Sequence, residues 1–141
     1  MSSKLSKAYL KGSCHQFWLE PWNASVVLVV GLFEAVTHYC QKKHIYTPEY
    51  KINGVGFSMR MVQEKDDRRI GYLIWIPAMT GTAESCVTLA HECLHIACNV
   101  LDDCGVVYND DAKEVLTYTF DSIYRKCLLR SAGSKKKEKQ K

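Results

Sequence analysis

Two apolar runs constrain the architecture before anything else does. Ser25 to Val30 reads SVVLVV and Ile70 to Ile76 reads IGYLIWI, and neither alternates with polar residues. A strand with no polar face has two faces to bury, so each run belongs inside a sheet that is covered on both sides. The β-branched first run also argues against one helix over 24–43, because Val loses χ1 freedom on a helix. Gly31 separates it from Leu32 to Lys43, where Phe33, Val36, Tyr39 and Cys40 recur at helical spacing. Gly56 to Gln63 alternates apolar and polar residues as a half-exposed strand does. The charged hexapeptide Glu64 to Arg69 then predicts a turn, and Pro77 ends the second run. His15 to Trp22 is a candidate short edge segment.

Helical signals take over after Pro77. Thr82 is a fitting N-cap, Glu84 lies in the first turn where the helix dipole favours an acid, and Gly105 is a fitting stop. Between them Val87, Leu94, Cys98 and Leu101 mark an apolar face, with His91 on it and His95 beside it. A last helix is expected from Asp110 or Asp111 to about Leu129, with Val115, Tyr118, Ile123 and Cys127 inward. The order β-α-β-β-α-α makes a small α+β domain over 25–130, between an N-terminal segment (1–24) and a disordered basic tail (131–141).

Charge and cysteine usage bound the function classes. The net charge is +4, yet Lys135, Lys136, Lys137, Lys139 and Lys141 fall in the last seven residues. With Glu138 among them they account for the whole excess, so the domain itself is near neutral. Such a tail is most simply a solvated end; weak nucleic-acid contact is the sharper reading. Seven cysteines without a C-x-x-C pair, four of them along one expected helix, point to reduced thiols and a cytoplasmic protein. Met1 to Lys11 has no apolar stretch for a signal peptide. The longest apolar run, Ala24 to Phe33, is half the ~20 residues of a membrane span.

The motif that carries chemistry is His91-Glu92-Cys93-Leu94-His95, H-E-x-x-H on an expected helix. Residues four apart share one helix face with Cβ atoms about 5–6 Å apart, so both imidazoles can reach one zinc ion. Glu92 stands where a carboxylate can take a proton from water at that ion. A catalytic zinc needs a third protein ligand and an open position. Asp102 lies about 10 Å further along the axis from His95, too far unless the helix breaks. Leu101 occupies the place of a third His in families whose chain turns after the motif, and no glycine makes that turn here. Glu114, near the start of a second, antiparallel helix, is the better candidate. Tyr118, four residues on, projects from the same face and could donate to an oxyanion.

The pairing of H91-E-C-L-H95 with E114-V-L-T-Y118 resembles the minimal zincin-type metallopeptidases carried by phage and prophage genomes, over roughly Ser25 to Arg130. Thr117 stands where those relatives tend to have Ala. The resemblance implies a zincin-like fold with the two C-terminal helices carrying the metal site. His91, His95 and Glu114 would be zinc ligands, Glu92 the general base, and the chain a cytoplasmic peptide or amide hydrolase (in the host cytoplasm if phage-encoded). Bland readings stand beside these. Asp111 to Glu114 has capping-box spacing, Tyr118 suits core packing, and Cys98 is a small apolar residue. Asp121 is a candidate to orient a ligand His, while His15, His38 and His44 show no ligand spacing. Asp102 and Asp103 oppose the dipole at a helix C-terminus. The alternative function is a non-enzymatic interaction protein on the same scaffold, using an exposed strand edge to hold an extended peptide.

Overall fold

The unbroken apolar runs become the two central strands of a four-stranded mixed sheet. The computed structural model describes residues 14–49 and 55–139, with side chains described as far as Ser131. Strands β1 (Cys14–Leu19), β2 (Ala24–Val30), β3 (Phe57–Val62) and β4 (Arg69–Ile76) lie in the order β1-β2-β4-β3. The central β2–β4 pair is parallel, with Val26 opposite Tyr72 and Val30 opposite Ile76; both outer pairs are antiparallel. Three helices complete the described residues: α1 (Phe33–Lys43), α2 (Ala83–Asp103) and α3 (Ala112–Lys139). The molecule is a small α+β domain, and the edge segment expected at His15 to Trp22 is realised as β1.

Alternation along the central strands builds a core on each face. Val27, Val29, Leu73 and Trp75 pack with Ala35, Val36 and Cys40 of α1. Val26, Leu28, Tyr72, Ile74 and Ile76 pack with Leu89, Cys93, Ile96, Ala97 and Val100 of α2 and with Ile123 and Cys127 of α3. Each β2 side chain between Val26 and Val29 is therefore buried, which is why no polar residue interrupts the run.

The capping signals of α2 are realised. Thr82 Oγ1 accepts from the Ser85 amide at 3.3 Å. At the other end Gly105 takes φ +75 and the Val106 amide donates to Leu101 O at 2.9 Å.

Leu101, Ile123 and Cys127 are buried as the sequence predicts, but the rotational phase of both C-terminal helices otherwise differs from the expectation. Val87 is 68% exposed and Leu94 45%, and His91 and His95 lie on the solvent side. The helix carries two apolar stripes. The one that packs is Leu89-Cys93-Ile96-Ala97-Val100, whose small members let the helix approach the sheet closely. In α3 the inward residues are Ala112, Thr119, Ile123 and Cys127, while Val115 is half-buried and Tyr118 is 70% exposed. That helix also continues to Lys139 rather than ending near Leu129. The side chains of the lysine cluster, and residues 1–13 of the N-terminal segment, lie outside the described residues.

All seven cysteines are free. Cys93 and Cys127 meet at 4.0 Å in the α2–α3 seam, and this contact together with burial pushes the Cys93 thiol up. No described helix is long and apolar enough to cross a membrane.

The tightest point of the central pair is Gly71, at φ +149, where a Cβ would lie 2.5 Å from Ser25 O. Gly71→Ala is expected to cost about 3 kcal/mol through overpacking and backbone strain. Urea unfolding measures it; a loss below 0.5 kcal/mol would mean that the β2–β4 spacing is looser than described.

Candidate metal and catalytic site

Because the small-residue stripe of α2 faces the sheet, the residues between its members are sorted by direction. Glu92 turns toward the edge strand β3 and is 8% exposed. His91 and His95, on the side away from the core, bring their Nε2 atoms to 3.1 Å, with ring centroids 4.7 Å apart in an edge-on arrangement. Two nitrogens at that separation, each about 2.0–2.1 Å from a common ion, subtend roughly 100°, close to the tetrahedral value. The nitrogen separation is therefore compatible with one shared zinc ion.

The Glu92 carboxylate has an unusual setting. It lies beneath the start of β3, where a Cβ on Gly56 would meet Thr88 Cγ2 at 2.8 Å, Glu92 Cγ at 3.3 Å and Glu92 Oε1 at 3.4 Å. The absence of a side chain at Gly56 is thus what lets the strand backbone lie against this turn of the helix. Among the described residues the Glu92 carboxylate has no hydrogen-bond partner or ion pair, yet neither oxygen is wholly cut off from solvent. Among the described residues this nearly buried acid is held by packing alone.

The strand above Glu92 has one edge largely unpaired among the described residues. Its pairing partner is β4, and on the other side only its far end is engaged, by Ile45 bridging Gln63 and by the Tyr46 amide donating to Val62 O at 3.0 Å. Among the described residues nothing pairs with that edge from Phe57 to Met61. A cavity of about 210 Å³ opens at the same end, between Val55, the Pro77–Thr82 loop and Thr88.

Glu114 and Tyr118 share one side of α3, as their spacing required, but that side is exposed. Like His91 and His95, Glu114 is exposed to solvent. Among the described residues no three His, Cys, Asp or Glu side chains stand together as a metal-binding group. Burial of Ala112, Thr119, Ile123 and Cys127 sets the phase of α3 and carries Glu114 outward. Its capping-box role is not realised either: the Ala112 amide donates to Asn109 Oδ1 at 3.0 Å, and the Glu114 side chain has no polar partner among the described residues. Asp121 is exposed, and Cys98 is half-buried with its carbonyl accepting from Tyr108 OH at 3.4 Å.

Sequence reasoning missed one polar cluster. Asp103 accepts from Arg60 Nε at 3.0 and 3.1 Å, Arg69 Nη1 at 2.8 Å and Tyr72 OH at 2.6 Å. Partial burial works against the Asp103 charge, but the bonds from Arg60 and Tyr72 and the charges of Arg60 and Arg69 outweigh it and hold the carboxyl below its usual range. The signal was the acid opposing the dipole at the end of α2; its partners, 31 to 43 residues away, left no local pattern.

Comparison with protein-family models, with curated proteins and with solved structures finds no match to this chain.

The Gly56 contact yields a test of this geometry. Gly56→Ala is expected to destabilise by about 1 kcal/mol, and Thr88→Ser, which removes the Cγ2 in the way, to recover most of that loss in the double variant. Additive effects in a double-mutant cycle would show that β3 does not lie against α2 at this turn.

Proposed function

We propose that the chain is a zinc-dependent peptidase or amide hydrolase of minimal zincin-like type, acting in the cytoplasm. The observation that carries this reading is the 3.1 Å approach of the His91 and His95 Nε2 atoms on the helix turn that holds a nearly buried Glu92 with no hydrogen-bond partner among the described residues. His91 and His95 would hold the ion, with Glu114 as third ligand. That last assignment rests on the resemblance and on the freedom of the Glu114 side chain. Zinc, when bound, supplies Lewis acidity toward a carbonyl and lowers the pKa of water near it.

The chain's own groups supply the rest. An extended peptide pairing with the free edge of β3 would be held by backbone hydrogen bonds and carried past Glu92. Glu92 accepts a proton from the attacking water and returns it to the leaving nitrogen. Burial by β3 keeps bulk solvent from this carboxylate and holds its orientation. Tyr118, exposed on α3, would have to swing in to serve an oxyanion and is secondary to the assignment.

Glu92→Gln is expected to lower kcat for peptide cleavage about 10²- to 10⁴-fold while one zinc per chain stays bound. Glu114→Gln is expected to weaken zinc binding at least about tenfold. Cleavage unaffected by Glu92→Gln would remove Glu92 as the base, and failure of zinc to bind the unmodified chain would end the hydrolase reading.

A second reading is favoured by the lack of a three-residue metal-binding group among the described residues. A scaffold whose third ligand never joins the pair would hold an extended peptide on the β3 edge without cutting it. Peptide binding indifferent to chelators and to Glu92→Gln distinguishes this class.

A further inference from the structure

The cavity of about 210 Å³ between Val55, the Pro77–Thr82 loop and the first turns of α2 has a one-sided chemistry. Val55, Pro77 and Ala78 give it an apolar part, and hydroxyl groups form much of the rest. Each of those hydroxyls already donates its proton inside the chain. Thr80 and Thr82 donate to Ser85 Oγ at 3.3 Å, Ser85 to Thr82 O at 3.0 Å, and Thr88 to Glu84 O at 3.0 Å. The nearest α2 amides are engaged as well, with Ser85 N–H on Thr82 Oγ1 and Cys86 N–H on Thr82 O. What these groups leave to a ligand is acceptor lone pairs.

Glu84 completes the lining and carries its charge. The carboxylate is exposed and has no hydrogen-bond or ion-pair partner among the described residues. Acceptors, one unpaired acid and no cation among the described lining residues suit an aliphatic stem ending in charged N–H donors. An anion would meet like charge there and no uncommitted donor.

The cavity adjoins the unpaired stretch of β3. Val55 and Gly56 lead into that strand, and a Cβ at Gly56 would meet Thr88 Cγ2 at 2.8 Å and Glu92 Cγ at 3.3 Å. Thr88 precedes Glu92 by about one helical turn, about 6 Å along the axis, which an extended chain covers in about two residues. Side chains two apart on a strand point the same way. A peptide laid on this edge so as to pass Glu92 therefore brings a neighbouring side chain to the cavity mouth.

We propose that the cavity is a subsite for a basic side chain (lysine or arginine) of an extended peptide, its cationic end on Glu84. The assignment rests on the peptide reading of the β3 edge and names the residue class that edge selects. Glu84 is a specificity residue and takes no part in the proton transfers assigned to Glu92.

Fluorescence anisotropy of a labelled, end-blocked hexapeptide of Thr and Val carrying one lysine tests this on the full chain in EDTA. Neither zinc nor cleavage enters the measurement, so failure of the hydrolase reading would not register in it. The lysine peptide is expected to bind about fivefold more tightly than its norleucine counterpart, at one peptide position only. Glu84→Gln should remove that preference and leave the norleucine peptide unaffected, whereas Glu84→Lys should shift it to a glutamate peptide. Butylamine should compete only at concentrations at least about 100-fold higher than the peptide; competition at equal concentration would overturn the peptide assignment. Equal binding of the lysine and norleucine peptides, a lysine preference spread evenly over all positions, or an equal loss for both peptides in Glu84→Gln would overturn the subsite. Binding of neither peptide would overturn it together with the peptide reading of the edge.

Discussion

Close packing of α2 on the sheet governs the rest of the structure. Leu89, Cys93, Ile96, Ala97 and Val100 form the stripe that meets Leu28, Tyr72, Ile74 and Ile76. Burying such side chains is worth about 1.5–3 kcal/mol each for the larger ones, far more than any surface contact could offset. That fixed rotation decides which neighbour every other residue of the helix meets. Glu92 is driven under β3, the two imidazoles outward, and Asp103 onto Arg60 and Tyr72. The chemistry available to the chain thus follows from which apolar stripe wins the sheet.

The same helix separates two kinds of polar setting. At its middle, Glu92 is nearly buried without a polar partner among the described residues, a state that packing imposes. At its end, Asp103 is held by two guanidiniums and a phenol, which stabilises its charge and pins the helix terminus to β3 and β4. The first arrangement is set by packing and the second by polar partners. One rigid element therefore carries two carboxylates in opposite settings.

Much of this was legible in the sequence, and the failures have physical causes. Continuous apolar runs placed β2 and β4 at the centre, alternation identified β3, and Thr82 and Gly105 bounded α2 within a residue or two. The phase of α2 was misjudged at Val87 and Leu94, which are as apolar as the stripe that packs, while Leu101 is buried as expected. Small residues at Cys93 and Ala97 decided between the two faces, a steric preference that hydropathy does not register. In α3 the buried polar residue is Thr119, whose hydroxyl accepts from Trp22 and donates to Val115 O; no periodicity argument would have placed it inward. The H-E-x-x-H pair was recoverable because its geometry is local. The place of Glu114 depends on how one helix is rotated against another, and spacing does not encode that.

The central claim is that His91 and His95 hold one zinc ion together, with oxygen and no sulfur in the remaining positions. X-ray absorption at the zinc edge of the protein loaded with one equivalent tests it directly. The expected spectrum has nitrogen and oxygen scatterers at about 2.0–2.1 Å with outer-shell scattering from two imidazoles, in four-coordinate geometry. A sulfur scatterer near 2.3 Å, or six oxygens and no imidazole signature, would contradict it.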